Sequence, residues 1–234
     1  TRASPTFDRR NKYVSTTLHE VYERLFDAYG PQHWWPGESP FEIVVGAVLT
    51  QNTSWRNVEK TIENLREANL LSPQKLFALR HEELAESIRP AGYYRLKAKR
   101  LRNLLQLIVE EFDGSLQTMF ALGLSELRQR LLAVNGIGPE TADSILLYAG
   151  GLPTFVIDAY TARILKRHGW IEPEADYHGM KDLFESSLED DVELFNEFHA
   201  LIVRVGKEHC RPSPKCTGCP LECLLPASGI QTWQ

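Results

Sequence analysis

Apolar residues recur along this chain at three- and four-residue steps, the spacing that lines one face of an α-helix. Leu18, Val21, Tyr22, Leu25 and Phe26 mark a helix over 17–29, and Gly30-Pro31 stops it. The same periodicity predicts helices over about 40–50, 54–68, 73–80, 82–89 and 95–112. A further helix starts at Ser125, and others cover 139–149, 158–168, 178–188 and 191–208. Ser72-Pro73 supplies a cap followed by a residue suited to a first helical turn. No stretch alternates long enough to argue for a sheet, although Thr154 to Ile157 reads as briefly extended. The pattern predicts an all-α protein, without internal repeats or low-complexity tracts.

At 234 residues, 43% hydrophobic and 24% charged, the chain can bury one sizeable core or two modest ones. No apolar run approaches the roughly 20 residues needed to cross a bilayer, and the opening TRASPTFDRRNKYVSTT lacks the apolar block of a secretory signal. The expected setting is therefore cytoplasmic, with no membrane partner. A net charge of −5 offers no bulk attraction to nucleic acid, so a DNA partner has to be held by local basic surface and backbone groups. Lys97, Lys99, Arg100 and Arg102 are candidates for a phosphate path, as are Arg163, Lys166 and Arg167. Such runs also read as ordinary solvated faces.

Two constellations carry chemistry. All four cysteines, Cys210, Cys216, Cys219 and Cys223, fall within fourteen residues, a set of soft ligands suited to one metal centre, either an iron–sulfur cluster or zinc. Two disulfides are the competing reading, and they suit small secreted domains rather than this chain. Upstream, Asn135-Gly136-Ile137-Gly138 places two glycines around one apolar residue between helical patterns. This allows a tight turn in which backbone approaches a ligand closely, with Ile137 turned into the core and Pro139 opening the next helix. The free N–H groups at that helix start suit a phosphate. Asp158 opens a later helix, where N–H groups and the helix dipole favour a negative charge.

The hairpin, Gly150-Gly151-Leu152-Pro153, Asp158 and the cysteine cluster together resemble the helix–hairpin–helix glycosylases of the endonuclease III superfamily, over about Glu42 to Cys223. The resemblance implies a two-lobed helical fold. One lobe is a six-helix barrel over 41–150 that carries the hairpin; the other joins 1–40 to 151–234 and includes the cysteine loop 210–223. It also implies a monomer acting on double-stranded DNA that contains a damaged base, with a location that is bacterial-type and nucleoid-associated. Asp158 matches the family's catalytic aspartate, which stabilises positive charge on the sugar as the N-glycosidic bond breaks and orients a water. Gly136, Ile137, Gly138 and Thr141 match the positions that hold the DNA backbone.

Departures from the family pattern refine this expectation. Members that also cut the strand carry a lysine two residues after the second glycine of the hairpin, and Glu140 stands there. A carboxylate cannot form the Schiff base on which strand cleavage depends. His33-Trp34-Trp35-Pro36 and the run from Gly46 to Trp55 resemble the endonuclease-III-related 3-methyladenine glycosylases. In that subgroup two aromatic rings sandwich the extruded base; Trp35 and Trp55 match them, with Trp34 adjacent. Gln51 matches the residue that fills the gap left by the base, and Tyr93 a second wedge, with Tyr94 its neighbour and competitor. The expected activity is hydrolysis of damaged, alkylated purines to leave an abasic site. Mismatch uracil/thymine or adenine glycosylase, endonuclease III-type glycosylase/lyase and a non-catalytic DNA-binding module are the alternatives. The family's cluster usually spaces its cysteines by six, two and five residues. This chain spaces them by five, two and three, and a 4Fe-4S cluster is the expected occupant, with zinc the alternative.

Overall fold

The computed structural model describes residues 9–231, with side chains from Leu18 onward. The opening segment read above for its lack of an apolar block lies outside the residues whose side chains are described. Among the described residues the regular structure is helical throughout, as the periodicity predicts, and 154–157 forms no strand. The chain divides into two compact units, one spanning Trp35–Thr154 and the other formed by the segments before and after it. The division falls at Trp34/Trp35 and Thr154/Phe155 rather than at 40/41 and 150/151. Packing explains the first boundary: a Cβ on Gly46 would stand 3.4 Å from the Trp35 indole, so the segment after Trp34 belongs with the barrel helices.

The chain enters through α1 (Arg9–Tyr29) and then builds the central unit. Helix α2 (Pro40–Leu49) is capped by Ser39, whose hydroxyl accepts from the Glu42 N–H. Apart from Glu42 its sequence is apolar, and every residue from Phe41 to Leu49 is buried. Against it pack α3 (Trp55–Glu67) and α6 (Tyr94–Gln106), and against α6 pack α4 (Pro73–Ala78) and α5 (His81–Ser87), with a 3₁₀ turn at Arg89–Ala91. Helix α6 continues as a π-helical turn, Leu107–Glu111. Then come α7 (Leu116–Phe120), α8 (Leu124–Ala133) and α9 (Pro139–Ser144), the last also running on as a π-helical turn, Ile145–Ala149. Helix α7 escapes the periodicity because five residues are too few to show a repeat; its Ser115 cap and buried Met119 define it.

The other unit adds α10 (Ala159–Arg167), α11 (Tyr177–Glu185) and α12 (Val192–Glu208) to α1. Helices α10 and α12 cross closely at Gly206, where a Cβ would meet the Tyr160 ring at 2.5 Å. Phe155 anchors this core: its ring stacks on Phe184 with centroids 3.8 Å apart and meets the edges of Phe195 and Phe198. Its backbone N–H is held at 2.8 Å by the Glu185 carboxylate, which also pairs with Lys181. The segment read as extended is thus an irregular buried strap, fixed by side chains rather than by a sheet partner. Replacing Phe155 with alanine is expected to lower unfolding stability by about 3–5 kcal/mol, the range for removing a buried aromatic ring. Urea denaturation followed by circular dichroism measures it.

Candidate active site and cysteine loop

Asp158 is the N-cap of α10, and one oxygen accepts from the Thr161 N–H at 2.7 Å and from its hydroxyl at 2.9 Å. Both bonds are local, so the sequence Asp-Ala-Tyr-Thr aims the carboxylate by itself. The side chain retains 13% exposure, and the buried His199 of α12 lies 3.9 Å from the same oxygen. Burial pushes the His199 imidazole below its ordinary value while the aspartate acts in the opposite sense. A ring kept neutral by burial does not cancel the carboxylate charge, which remains available to a cationic centre. Trp34 belongs to this same unit, packed under the Lys207 ammonium at 5.6 Å.

In the central unit, Trp35 and Trp55 meet edge to face, with centroids 5.1 Å apart and planes at 87°. Rings in that contact leave no room for a base between them, so a sandwich requires one indole to rotate away. Tyr148, on the π-helical turn, stands 5.2 Å from Trp35 and completes an aromatic cluster. Beside it opens a groove whose walls include Glu38, Glu42, Glu59, Glu63 and Arg66. Sequence reasoning missed Tyr148 and these carboxylates. Trp55, Glu59, Glu63 and Arg66 are spaced to share one face of α3, a signal that was legible; the approach of Tyr148 was not.

Gln51 is held by three groups: its amide donates to the Gly136 carbonyl at 3.2 Å and to the Thr141 hydroxyl at 3.0 Å, and it accepts from Arg100 at 2.5 Å. Thr141 is buried, with its hydroxyl turned to Gln51. Ile137 is buried as expected. Only one of the two hairpin glycines is demanded by backbone conformation: Gly136 has φ +98°, whereas Gly138 has φ −91° and open space where a Cβ would go. Glu140 is exposed on the first turn of α9. Tyr93 is 71% exposed with φ +45°, while Tyr94 packs against the core, so Tyr93 is the residue free to act as a wedge.

The proposed phosphate path is largely internal. Lys97 is buried, Arg100 holds Gln51, and Arg102 donates to the carbonyls of Phe77 and Leu79. Their charges are spent on backbone and side-chain acceptors, leaving Lys99 as the exposed member of that run. Arg163 and Arg167 likewise brace the cysteine loop, donating to the Cys210 carbonyl and to the carbonyls of Arg211 and Pro212.

Three thiols, Cys210, Cys216 and Cys219, line one small cavity with Arg167, whose guanidinium lies 3.2 Å from the Cys210 sulfur. Cys223 is exposed and outside that lining. Burial pushes the Cys216 and Cys219 thiols up. Among the described residues no three His, Cys, Asp or Glu side chains converge on a single-ion position. The donor set fits a thiolate-held centre, an iron–sulfur cluster or zinc.

Comparison with known proteins identifies the family. Residues 45–190 match the model of the HhH-GPD superfamily of base excision DNA repair proteins. A Methanocaldococcus jannaschii protein assigned to the DNA repair glycosylases is 46% identical over 92% of this chain and 97% of its own. The crystal structure of Helicobacter pylori 3-methyladenine DNA glycosylase bound to 1,N6-ethenoadenine is 32% identical, with a TM-score of 0.69 over 83% of this chain and 97% of that one. An endonuclease III trapped as a covalent intermediate with DNA superposes with a TM-score of 0.76 over 90% of this chain and 94% of its own; at 23% identity it speaks for the fold alone. Among the described residues no helix is long and apolar enough to cross a membrane.

Two predictions follow from the geometry of the central unit. A methyl group at position 136 would lie 2.3 Å from Arg100 Cγ on a backbone already at positive φ, so Gly136→Ala should cost about 1–3 kcal/mol of stability, read as a lower Tm. Burial and the Arg100 charge bring Lys97 from its usual 10.5 down to about 8. The cost of burying its charge is therefore complete below pH 8 and vanishes as pH rises to 10.5. Over that window the protein should gain about 3 kcal/mol relative to Lys97→Gln, measured by chemical denaturation at each pH.

Proposed function

Because the chain belongs to the HhH-GPD superfamily of base excision DNA repair proteins, we propose that it is a monofunctional glycosylase of double-stranded DNA, removing alkylated purines of the 3-methyladenine type and leaving an abasic site. Glu140 carries the monofunctional reading: it puts an exposed carboxylate where strand cleavage requires an amine. Water is then the nucleophile. Asp158, fixed by Thr161, offsets the positive charge that grows on the sugar and orients that water. Gln51 and Tyr93 fill the space vacated by the extruded base, and the backbone of the hairpin around Gly136 and Gly138 takes the phosphates.

The aromatic cluster with its acidic neighbours supports the choice of base. Alkylation of a purine ring nitrogen makes the ring cationic and weakens its glycosidic bond. Indole faces attract such a ring by about 0.5–2 kcal/mol, and the Glu38, Glu42, Glu59 and Glu63 side of the groove adds to the attraction, partly offset by Arg66. Cys210, Cys216, Cys219 and Cys223 would hold a 4Fe-4S cluster, whose contribution is to cross-link the loop and stiffen it, outside bond cleavage. Arg163 and Arg167 already fix that loop through Cys210.

The test is a panel of duplexes, each with one 7-methylguanine, 1,N6-ethenoadenine, uracil opposite guanine, or adenine opposite 8-oxoguanine, treated with hot alkali after incubation. Excision of the alkylated purines, strand scission only after alkali and no borohydride-trapped adduct are expected. Asp158→Asn should slow single-turnover excision by about 100-fold or more. Trp35→Ala and Trp55→Ala should weaken excision more than duplex binding. A trapped covalent adduct would refute the monofunctional reading, and activity confined to uracil would refute the alkylpurine one. Replacing Cys219 with serine should remove the visible absorption of the cluster and lower the Tm with it.

A further inference from the structure

The central unit contains a buried cation that the glycosylase reaction does not use. Lys97, in the first turns of α6, is 1% exposed and is among the largest fully buried side chains. Its ammonium donates to the Leu49 carbonyl at 2.7 Å and to the Ala91 carbonyl at 2.8 Å. These acceptors are far apart in sequence. Leu49 ends α2, two residues before Gln51; Ala91 ends the 3₁₀ turn, two residues before Tyr93. The Thr53 hydroxyl donates to the same Ala91 carbonyl at 2.8 Å, tying the turn after Gln51 to the turn before Tyr93 a second time.

Each of these turns also holds a non-glycine residue at positive φ, Asn52 at +53° and Tyr93 at +45°. A bulky side chain in that region carries a cost of order 1–3 kcal/mol and keeps its conformation only where the surroundings impose it. Tyr93 is exposed, so its own ring gains little from burial, and the constraint has to come from the backbone on either side. The α6 side is set by the Lys97 N–H donating to the Tyr93 carbonyl at 3.0 Å, and the other side by the Lys97 ammonium on Ala91. One residue thus grips the chain before and after the strained tyrosine while its ammonium also holds the end of the helix that presents Gln51. Packing alone would favour an apolar side chain of this length, because a buried ammonium is costly.

We infer that Lys97 is the positioning residue for the two wedges, fixing the Gln51 and Tyr93 turns to each other so that both enter the base stack together. This rests on the reading of Gln51 and Tyr93 as wedges, so the test separates the two ideas without depending on which lesion is removed. The probe is a duplex containing a tetrahydrofuran abasic analogue with 2-aminopurine opposite. It is read at saturating protein, with binding followed by anisotropy and folding by circular dichroism. Entry of the wedges beside the 2-aminopurine changes its fluorescence for the wild-type protein, and Gln51→Ala/Tyr93→Ala should bind without that change. Lys97→Met removes the Leu49 carbonyl's ammonium donor and leaves the Ala91 carbonyl only the Thr53 hydroxyl, and should reduce the change about tenfold while the protein stays bound. Lys97→Gln keeps an amide donor and should give an intermediate signal; it decides the matter if Lys97→Met does not fold. A full wild-type signal from the Lys97 variants, with the signal lost in Gln51→Ala/Tyr93→Ala, overturns the positioning role alone. A full signal from Gln51→Ala/Tyr93→Ala overturns the wedge reading and its dependent inference together.

Discussion

A helix leaves unpaired N–H groups at its start and unpaired carbonyls at its end, and where those ends are buried, side chains must take the place of water. In a protein whose regular structure is helical, this constraint recurs at every connection, and the residues that meet it here are the ones that bear on function. Asp158 satisfies the start of α10 and is thereby aimed. Lys97 satisfies the end of α2, and Gln51 reaches from beyond that end to the hairpin carbonyl. The polar interior of the central unit is therefore a connected set of helix-end repairs, and its members stand at or next to the proposed wedges and phosphate contacts.

The same constraint accounts for the disposition of charge. The chain is acidic overall, yet several of its basic side chains point inward: Arg128 pairs with the buried Asp143 behind the hairpin, Arg100 holds Gln51, and Arg102 and Arg167 occupy loop carbonyls. A basic run in the sequence therefore overstates the cationic surface available to phosphate. On the proposed reading, association with DNA draws on backbone N–H groups and shape at the hairpin more than on a field of lysines, in keeping with a net charge of −5. The acidic groove beside Trp35 and Trp55 fits this economy, since the group proposed to enter it is a cation.

On the proposed reading a single position, Glu140, sets the reaction type, while several features set the substrate. The proposed choice of base rests instead on ring packing, on Tyr148 and on the carboxylates of α3. Such a division makes reaction type legible from one residue and leaves substrate choice to an arrangement.

The sequence by itself determined the helical class, most helix bounds, the cap at Asp158, the burial of Ile137 and the carboxylate at 140, because each follows from local periodicity, local hydrogen bonds or identity. It did not determine α7, whose five residues show no period, or the π-helical turns that end α6 and α9, since these depend on what packs against them. Nor did it choose between Tyr93 and Tyr94, adjacent and chemically alike; tertiary packing takes Tyr94 into the core and leaves Tyr93 outside. The partners of Trp34 and Trp35 were not legible either: Trp34 lies under the Lys207 ammonium and Trp35 meets the Trp55 ring. Lys97 looked like surface charge and proved to be interior, because its carbonyl acceptors come from segments that only folding brings together. Local rules fix which groups a helix end needs, and only the three-dimensional chain path decides which distant side chain supplies them.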